Sequence, residues 1–309
     1  MVDVVIPYCN GTVPILDTCL TSFFRHTDKE KCRVLVVHSE GELFDAAEIC
    51  ARFPVYIQNC TLPHGFPTSS QQHSKMLDVA LEGSHNDYFL SLDSDCFPVA
   101  DGWLDDLVKM MEDGATVAGI LWPWNPPADD LGRATIEWRI RSQQCWMNTH
   151  VACQMVRPDW IREQNIKFYD GDDTGLVIPN RARRLGLKVS GFMPTRCALP
   201  HDCPAWFDPE FNRYICVVFG DKVYHHGGST REISNSEVDF QKIYESIRSR
   251  VTEESGAEFI LNDAESHQYK FDREEEVSEQ KMIVLYNQMK RYLQSGISIF
   301  KPKTVDNPE

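Results

Sequence analysis

Two aspartates one residue apart, Asp93 and Asp95, are the side chains of this sequence that are best suited to chemistry. They follow the run Tyr-Phe-Leu-Ser-Leu at positions 88–92, whose apolar and aromatic residues are typical of a buried strand. Carboxylate oxygens on a short turn are ligands that Mg²⁺ and Mn²⁺ prefer. The pair could instead only cap the turn, but the buried strand before it favours a metal site.

The residues after this pair predict where the turn lies in the fold. Pro98 ends any strand, and a helix that starts at Asp101 would have its apolar residues on one face. Open α/β sheets bind their ligands outside the carboxyl ends of the strands, so we expect the two carboxylates at that edge. The apolar residues of the helix are Leu104, Leu107, Val108 and Met111.

Strands and helices alternate along most of the chain. Continuous apolar runs at 2–6, 34–37 and 55–57 predict three strands, and stretches with helical periodicity separate them. This βαβαβ order predicts an α/β fold with a doubly wound, mostly parallel sheet and right-handed crossovers. Further strands are predicted at 88–92, 116–121, 151–156 and 187–189, and helices near 12–23, 43–52, 71–81 and 158–160, with a last one ending near 185.

The composition changes to charged, helical sequence near residue 236. Two amphipathic stripes follow, one over 243–251 and one over 282–293, and each needs a surface on which to bury its apolar face. We therefore expect a catalytic domain over residues 1–235 and a helical C-terminal extension over 236–309. The extension would be either a cap on the sheet domain or a dimer surface.

Charge and cysteine usage limit the class of protein. The 31 basic and 46 acidic residues give a formal net charge of −15, which argues against non-specific nucleic-acid binding and against adhesion to anionic membranes.

The eleven cysteines are scattered and favour free thiols in a reducing cytosol. No signal peptide or membrane-spanning run is visible, so we expect a cytoplasmic protein. A zinc site would be the alternative for Cys197, His201 and Cys203, but a fourth ligand is not evident.

Four short motifs follow one another along residues 1–235, and their order and spacing resemble the GT-A glycosyltransferases, most of all the large family-2-like group. The resemblance implies a GT-A, Rossmann-like fold and a nucleotide-sugar donor. The motifs are Val-Val-Ile-Pro-Tyr-Cys-Asn-Gly at 4–11, the aspartate pair with Gly-Trp at 102–103, Asp-Asp at 172–173 with Arg181 and Gly186, and His-His-Gly-Gly at 225–228.

The resemblance also implies roles for single residues. Asp95 would bind Mn²⁺ or Mg²⁺ directly, and Asp93 would bind the metal or the ribose of the donor. His225 would complete the protein ligands, with His226 as the alternative. The residues that would contact the donor nucleotide are Pro7, Tyr8, Asn10, Glu40, Lys75, Asp93 and Ser94.

Two segments depart from the family pattern. Residues 38–41 are His-Ser-Glu-Gly, where the family often has Asp-Asn-Gly-Ser. Residues 73–75 are His-Ser-Lys, where the family usually has an asparagine. Recognition of the nucleotide base is therefore left open, although we expect a UDP-sugar.

The reaction implied is transfer of a sugar, expected to be a hexosyl group, from the donor to an acceptor. A bound metal would neutralise the diphosphate leaving group, and Asp173, with Asp172 beside it, would be the general base of an inverting transfer. Helix capping is the alternative for this acid pair. Trp122 and Trp124 would form an acceptor platform or pack within their loop, and His201 would border the site. The acceptor itself could be a glycan, a protein or a small molecule.

Other functions make different demands on the sequence. A nucleotidyltransferase would need a basic, glycine-rich loop after the first strand, and residues 8–12 contain one glycine and no Lys or Arg. A haloacid-dehalogenase-like phosphatase would have its D-x-D motif on the first strand. A catalytically inactive module that binds sugar nucleotides or carbohydrates would leave the retained carboxylates and the late histidine unexplained.

Overall fold

The structure is a computed structural model that describes residues 1–39, 44–62, 69–124, 146–169, 174–192, 194–197 and 216–226. The strands are β1 (Val2–Tyr8), β2 (Cys32–Ser39), β3 (Val55–Cys60), β4 (Tyr88–Leu92), β5 (Cys96–Pro98), β6 (Val117–Trp124), β7 (Trp146–Val156), β8 (Val189–Phe192), β9 (Pro194–Cys197), β10 (Cys216–Phe219) and β11 (Val223–His226). The helices are α1 (Val13–His26), α2 (Ala47–Cys50), α3 (Ser69–Glu82), α4 (Trp103–Glu112), α5 (Pro158–Glu163) and α6 (Val177–Arg184), with a 3₁₀ turn at Lys29–Lys31.

Among the described residues, seven strands form the main sheet in the order β3-β2-β1-β4-β7-β6-β8. The pairs β1–β2, β2–β3, β1–β4 and β6–β8 are parallel, whereas β7 runs antiparallel to both β4 and β6. The strand order reverses between β1 and β4, so the predicted doubly wound, mostly parallel sheet is confirmed.

The sheet is covered on both faces because alternate residues of its strands point to opposite sides. Val4 and Ile6 of β1 belong to the apolar core that includes α1 and α4. Val5, between them, belongs to a second core with Met76 and Leu77 of α3. The polar start of α3 is thereby held above the β1–β2 half of the sheet, close to the carboxyl ends of its strands.

Four short strands among the described residues form a second, antiparallel sheet in the order β5-β11-β10-β9. Its first strand follows the aspartate turn directly. The pairing of β5 with β11 sets His225 opposite Cys96 and Tyr224 opposite Phe97. This small sheet therefore brings a segment near residue 225 back to the turn at residue 95.

Several predicted boundaries need correction. The helix predicted from Asp101 begins at Trp103, because Gly102 adopts a left-handed conformation with φ 73° before it. The strand predicted at 187–189 lies at Val189–Phe192. The last predicted helix, which the acid pair would cap in the alternative interpretation, begins at Val177. A turn over 174–176 precedes it, so the acid pair is not at the N-terminus of that helix.

Two further expectations concern the cysteines and membrane-spanning helices. The cysteine side chains that the structure describes are free thiols, as predicted, and all of them except Cys9 are buried. Within the described ranges, no helix is both long and apolar enough to cross a membrane. The boundary at residue 235 and the C-terminal extension lie outside the described residues.

Candidate active site

The aspartate turn lies at the carboxyl end of β4, between β1 and β7, as the sequence predicts. The backbone N–H of Asp93 donates to the carbonyl oxygen of Ala152 in β7 at 2.9 Å, and the N–H of Cys96 donates to the carbonyl of Asp93 at 2.9 Å. These two bonds attach the turn to the neighbouring strand and close it on itself. The carboxylates are thus presented by a fixed backbone, and Asp95 is almost fully buried.

His225 is the late histidine that faces this turn. Its Nε2 lies 4.0 Å from Oδ1 of Asp95, and the two side chains are only 11% and 12% exposed. Two atoms that bind one ion at about 2.1 Å each can lie at most about 4.2 Å apart, so this pair can hold one metal ion between them. The side chain of His226 is not among those described, and the backbone register gives His225 the position next to Asp95.

A second histidine, His73 of α3, contacts the other carboxylate. Its Nε2 lies 3.0 Å from Oδ1 of Asp93, and both side chains are about four-fifths buried. The sequence shows His73 only as part of a departure from the family pattern, so its contact with Asp93 was not predicted. The signal that could have found it is a polar residue near the start of a helix that leads into a buried strand.

A third histidine, His150 of β7, stands beside His225. The two rings lie 5.3 Å apart between centroids and are tilted by 44°. The N–H of Ala152 donates to Nδ1 of His150 at 3.2 Å, which gives the neutral ring its proton on Nε2. His150 therefore carries a hydrogen-bond donor on the ring edge that points away from Ala152. No sequence motif marks this residue.

The histidines decide the charge of Asp93. Burial alone would raise its pKa, but the adjacent His73, together with His150 and His225, lowers the pKa below its ordinary value. Asp93 is therefore ionised at neutral pH. A buried, negatively charged turn of this kind suits a cation or a hydrogen-bond donor of a ligand.

The protein supplies only part of a metal coordination shell. In the part of the chain that the structure describes, no three His, Cys, Asp or Glu side chains converge so that they could hold an ion together. Mg²⁺ and chemically similar ions often take one or two protein ligands, with substrate phosphates and water completing the shell. Asp95 and His225 fit this arrangement as the protein pair.

The predicted donor residues after β1 form a cluster that contains an unpredicted aspartate. The hydroxyl of Tyr8 donates to Oδ1 of Asp45, and the N–H of Gly11 donates to Oδ2 at 2.8 Å. Phe44 lies between the rings of Tyr8 and His38, edge-on to the first at 5.6 Å and stacked on the second at 4.4 Å. Asp45 was missed because it follows β2 by six residues and belongs to no motif of the family.

The other predicted donor residues lie in β1, in the turn after it, in the aspartate turn and on α3. Pro7 is paired in register with Val37 of β2, and Asn10 lies in the turn after β1. Ser94 is half-buried within the aspartate turn. Burial raises the pKa of Asp78, and the charge of Lys75, one helical turn before it on α3, opposes this rise, so Lys75 lies on the side of the helix that carries Asp78. Their roles toward a nucleotide stay predictions.

Six predicted site residues lie outside the described residues or are described by their backbone alone. Glu40, Asp172, Asp173 and His201 lie outside the described residues. The backbone of Trp122 and Trp124 belongs to β6, paired with residues 146 and 148 of β7, but their side chains are not described. The acid pair and the proposed acceptor platform therefore stay predictions.

The residue after the acid pair is firmly attached to α3. The hydroxyl of Thr174 donates to the carbonyl oxygen of Ser70 at 2.8 Å, and the hydroxyl of Ser74 donates to Thr174 Oγ1 at 3.1 Å. Ser70 and Ser74 flank His73 on the helix. Thr174 therefore lies beside the helical turn that contacts Asp93.

Comparison with known proteins gives structural similarity alone. No family model matches this chain, and no curated protein matches it. A mannosyltransferase from Pyrobaculum calidifontis, in complex with GDP-Man and Mn²⁺, is 12% identical with a TM-score of 0.48, over 96% of this chain and 86% of that chain. Glucosyl-3-phosphoglycerate synthase from Mycobacterium tuberculosis, in complex with Mg²⁺ and uridine diphosphate, is 14% identical with a TM-score of 0.42, over 62% and 69%.

The fold of a nucleotidyltransferase is also similar. A 4-diphosphocytidyl-2C-methyl-D-erythritol synthase from Anaerococcus prevotii is 11% identical with a TM-score of 0.40, over 62% of this chain and 88% of that chain. The strand order and the place of the aspartate turn at the carboxyl end of β4 show a doubly wound, mostly parallel α/β fold.

Proposed function

We propose that this protein is a metal-dependent glycosyltransferase that moves a hexosyl group from a nucleotide sugar, preferably a UDP-sugar, to an acceptor. The observation that carries the proposal is the pairing of Asp95 with His225 at the carboxyl end of β4, where the small sheet delivers a late histidine to the aspartate turn. Residues this far apart in sequence meet here with a spacing that one divalent ion can bridge.

The side chains present can perform the parts of this reaction. Asp95 and His225 would hold Mn²⁺ or Mg²⁺, which when bound supplies a Lewis acid that neutralises the departing nucleoside diphosphate. Asp93 stays ionised and can accept a hydrogen bond from the donor. His150 carries an Nε2–H donor beside His225 and can stabilise negative charge that develops on a diphosphate oxygen.

The general base of the transfer is Asp173, with Asp172 as the second choice. The attachment of Thr174 to α3 supports this role, because it fixes the residue next to Asp173 near the turn that holds Asp93. A base on that side would remove the proton of an acceptor hydroxyl as it attacks the sugar. One carboxylate base and no covalent intermediate correspond to inversion at the sugar carbon.

Specific observations argue against the rival functions or distinguish them from the proposal. A nucleotidyltransferase would bind a triphosphate at the turn after β1, but the N–H of Gly11 in that turn already donates to the carboxylate of Asp45. That carboxylate would repel an incoming phosphate. An inactive binding module would bind the donor without turnover, so a turnover assay distinguishes it from the proposed enzyme.

The test is a panel of UDP- and GDP-sugars, each with Mn²⁺ and with Mg²⁺, assayed for slow hydrolysis or transfer. We expect turnover of at least one donor, dependent on the metal. Asp95→Asn should reduce this turnover by about 10² or more, as expected for the loss of one preorganised electrostatic group. The matched control is Asp105→Asn, which removes an exposed carboxylate paired with Lys31 and should leave turnover unchanged. Donor binding without turnover would contradict the enzyme and favour the binding module.

A further inference from the structure

The strand β3 lies at one edge of the main sheet and presents its outer side to a partner. Among the described residues its neighbour in the sheet is β2, with which it pairs in parallel from Val55 to Cys60. In such a ladder, alternate residues direct their backbone N–H and C=O groups to opposite sides of the strand. An edge strand therefore presents a row of backbone groups to which another strand can bind.

Two large apolar side chains are exposed on this edge. Tyr56 is 63% exposed and Ile57 is 48% exposed, and as successive strand residues they point to opposite faces of the sheet. Ile57 shares its face with Val55, which packs against the core that includes α1. Tyr56 shares its face with Cys60, which belongs to the core that includes α3. Apolar surface is thus exposed on both faces of the same edge.

The sequence of this edge lacks the features that usually prevent edge strands from pairing. Natural edges are protected by charged side chains, prolines, bulges or a short strand. No Lys, Arg, Asp or Glu occurs between Arg52 and Lys75, and no proline lies within β3. The opposite edge of the same sheet is protected, because β8 has four residues and directly follows Lys188. Of the two edges, β3 is therefore the one suited to pairing.

The charge of the chain indicates which partner suits this edge. With a formal net charge of −15, two copies of the chain repel each other over most of their surfaces. An uncharged edge is where like-charged copies can meet with least repulsion, whereas a basic partner would be attracted to acidic surface elsewhere. Pairing across a two-fold axis also uses each β3 edge once and leaves the protected β8 edges outside, so the assembly closes at two chains.

We propose that β3 of one copy pairs antiparallel with β3 of a second copy, so that two main sheets join into one across a two-fold axis at Ile57. Directly opposite residues of an antiparallel pair both direct their backbone groups toward each other or both away, so the axis must pass through a residue position. This homodimer does not depend on the proposed function, because it forms without any substrate.

The axis at Ile57 is the one that brings the exposed apolar side chains together. Each Ile57 lies opposite its own copy, and each Tyr56 lies diagonal to its own copy, within reach of an aromatic ring. The ladder ends beside Pro54, which has no N–H to donate. The remaining opposite pairs are Tyr56 with Gln58 and Val55 with Asn59.

The first test measures the molar mass of the full chain in solution by sedimentation equilibrium. We expect wild-type protein to be a dimer at micromolar concentration. Ile57→Lys should weaken the dimer by about tenfold or more, because two like charges would lie directly opposite each other. Leu185→Lys is the matched control, since this leucine is 46% exposed and lies outside β3, and it should stay as dimeric as wild type. Thermal unfolding should show that both variants are folded.

The second test determines the register through a disulfide. Opposite residues of an antiparallel pair have Cα atoms about 4.5 to 5.5 Å apart, within the range of about 4.4 to 6.8 Å for disulfides. Ile57→Cys should therefore cross-link two copies on oxidation with copper–phenanthroline. Tyr56→Cys should cross-link at least about fivefold less, because its own copy is diagonal at about 7 to 8 Å. Wild-type protein under the same oxidant measures cross-links through the native cysteines.

Each other occupant of the edge gives a different result. A monomeric wild-type chain contradicts the inference, and slow hydrogen exchange of the β3 amides in that monomer would assign the edge to another segment of the same chain. A dimer that Ile57→Lys leaves intact, or one in which Tyr56→Cys cross-links as well as Ile57→Cys, also contradicts it. A dimer through β3 in a protein that turns over no sugar nucleotide would support the inference while the proposed function fails.

Discussion

At the scale of single residues, the candidate site consists of two buried carboxylates, each with its own histidine. Asp93 is in contact with His73, and Asp95 faces His225 at a distance that one ion can span. Backbone hydrogen bonds to and from neighbouring residues hold the turn and its carboxylates in place. Such an arrangement can bind the charged part of a ligand without having to reorganise first.

The first prediction concerns the general base. Asp173→Asn keeps the size of the side chain but cannot accept a proton, so transfer to the acceptor should fall by about 10² to 10⁴. Donor affinity should be unchanged, because the residue acts on the acceptor. Steady-state rates of transfer, together with donor binding by calorimetry, measure the two effects separately.

The neighbouring Asp172→Asn is the matched control for this prediction and should retain most of the activity. If Asp172→Asn loses transfer and Asp173→Asn does not, the base is one residue earlier. If neither substitution matters, the acid pair only organises its turn, and an inverting mechanism with this base is contradicted.

Motifs allowed part of this site to be predicted from the sequence. Asp93, Asp95 and His225 belong to short patterns with a fixed order, so their meeting could be foreseen. His73, His150 and Asp45 belong to none, and they reach the site because α3, β7 and the segment after β2 pass it. Contacts of that kind depend on how elements pack, which the spacing of residues within one element does not specify.

At the scale of elements, a buried aspartate holds the start of β1 to its neighbours. Asp3 is fully buried and accepts hydrogen bonds from Arg33 of β2 at 2.7 Å, Ser84 at 2.6 Å and Asn86 at 2.7 Å. Burial alone would raise the pKa of Asp3, but these bonds lower it below its ordinary value. The ionised form is therefore the one that stabilises the fold.

The second prediction follows from this pKa. Asp3→Ala should lower the free energy of unfolding at pH 7 by about 3 kcal/mol, since it leaves Arg33 without its buried partner. A carboxyl whose pKa is lowered by folding stabilises the protein above its unfolded pKa of about 4 and loses that effect as the pH falls further. Urea unfolding at pH 7 and pH 3 should show a smaller difference between the two proteins at pH 3.

The exposed Asp87, which pairs with the amino group of Met1 at the surface, provides the control. Asp87→Ala should change the free energy of unfolding by no more than about 0.5 kcal/mol at either pH. An equal loss of stability in both variants, or a loss in Asp3→Ala that does not depend on pH, would contradict the role given to Asp3.

Two glycines allow β6 to approach its neighbours closely. A Cβ on Gly119 of β6 would overlap the carbonyl oxygen of Cys153 in β7, and one on Gly191 of β8 would overlap the carbonyl of Gly119. The register of β6 against β7 also shifts between Gly119 and Leu121, next to this contact. β6 can therefore lie close to β7 and β8 because these two glycines have no side chains.

The third prediction is that Gly119→Ala lowers the free energy of unfolding by about 3 kcal/mol, because the added methyl group forces β6 and β7 apart. Gly83→Ala is the control, since a Cβ there meets its nearest atom at an ordinary 3.7 Å. It should change stability by less than about 1 kcal/mol. Similar urea midpoints for the two variants would contradict the close approach.

The elements themselves were largely predictable, and their pairing was less so. The apolar runs identified β1, β2, β4 and β6, because continuous apolar composition reports burial on both faces of a sheet. The antiparallel direction of β7 and the small sheet built on β5 and β11 were not predicted. Strand direction and long-range pairing are set by the path of the intervening chain, and short strands such as β5 carry little signal of their own.

At the scale of the whole molecule, the described residues contain a doubly wound sheet and a small sheet whose strand β5 follows the aspartate turn and pairs with β11. The chain continues for more than seventy residues beyond the last described strand. Its two amphipathic stripes were predicted from the sequence, as either a cap or a dimer surface. That choice depends on which surface buries the stripes, and the pattern of one helix does not specify it.

The fourth prediction is that truncation after Asn235 promotes aggregation, because it removes the partner of an apolar surface on the sheet domain or between subunits. Light scattering and size-exclusion chromatography of the shortened and full chains measure the effect. A shortened protein that stays monodisperse with the same unfolding temperature would show that the C-terminal stripes are neither a cap nor a dimer surface.

The central claim is that Asp95 and His225 hold a divalent ion through which a nucleoside diphosphate binds. Titration calorimetry of UDP and GDP into wild-type protein and Asp95→Asn, each with and without Mn²⁺, tests it most directly. We expect Mn²⁺ to strengthen binding to the wild type by about tenfold or more, and to have little effect on Asp95→Asn. Equal affinity of the wild type with and without Mn²⁺ would contradict the claim.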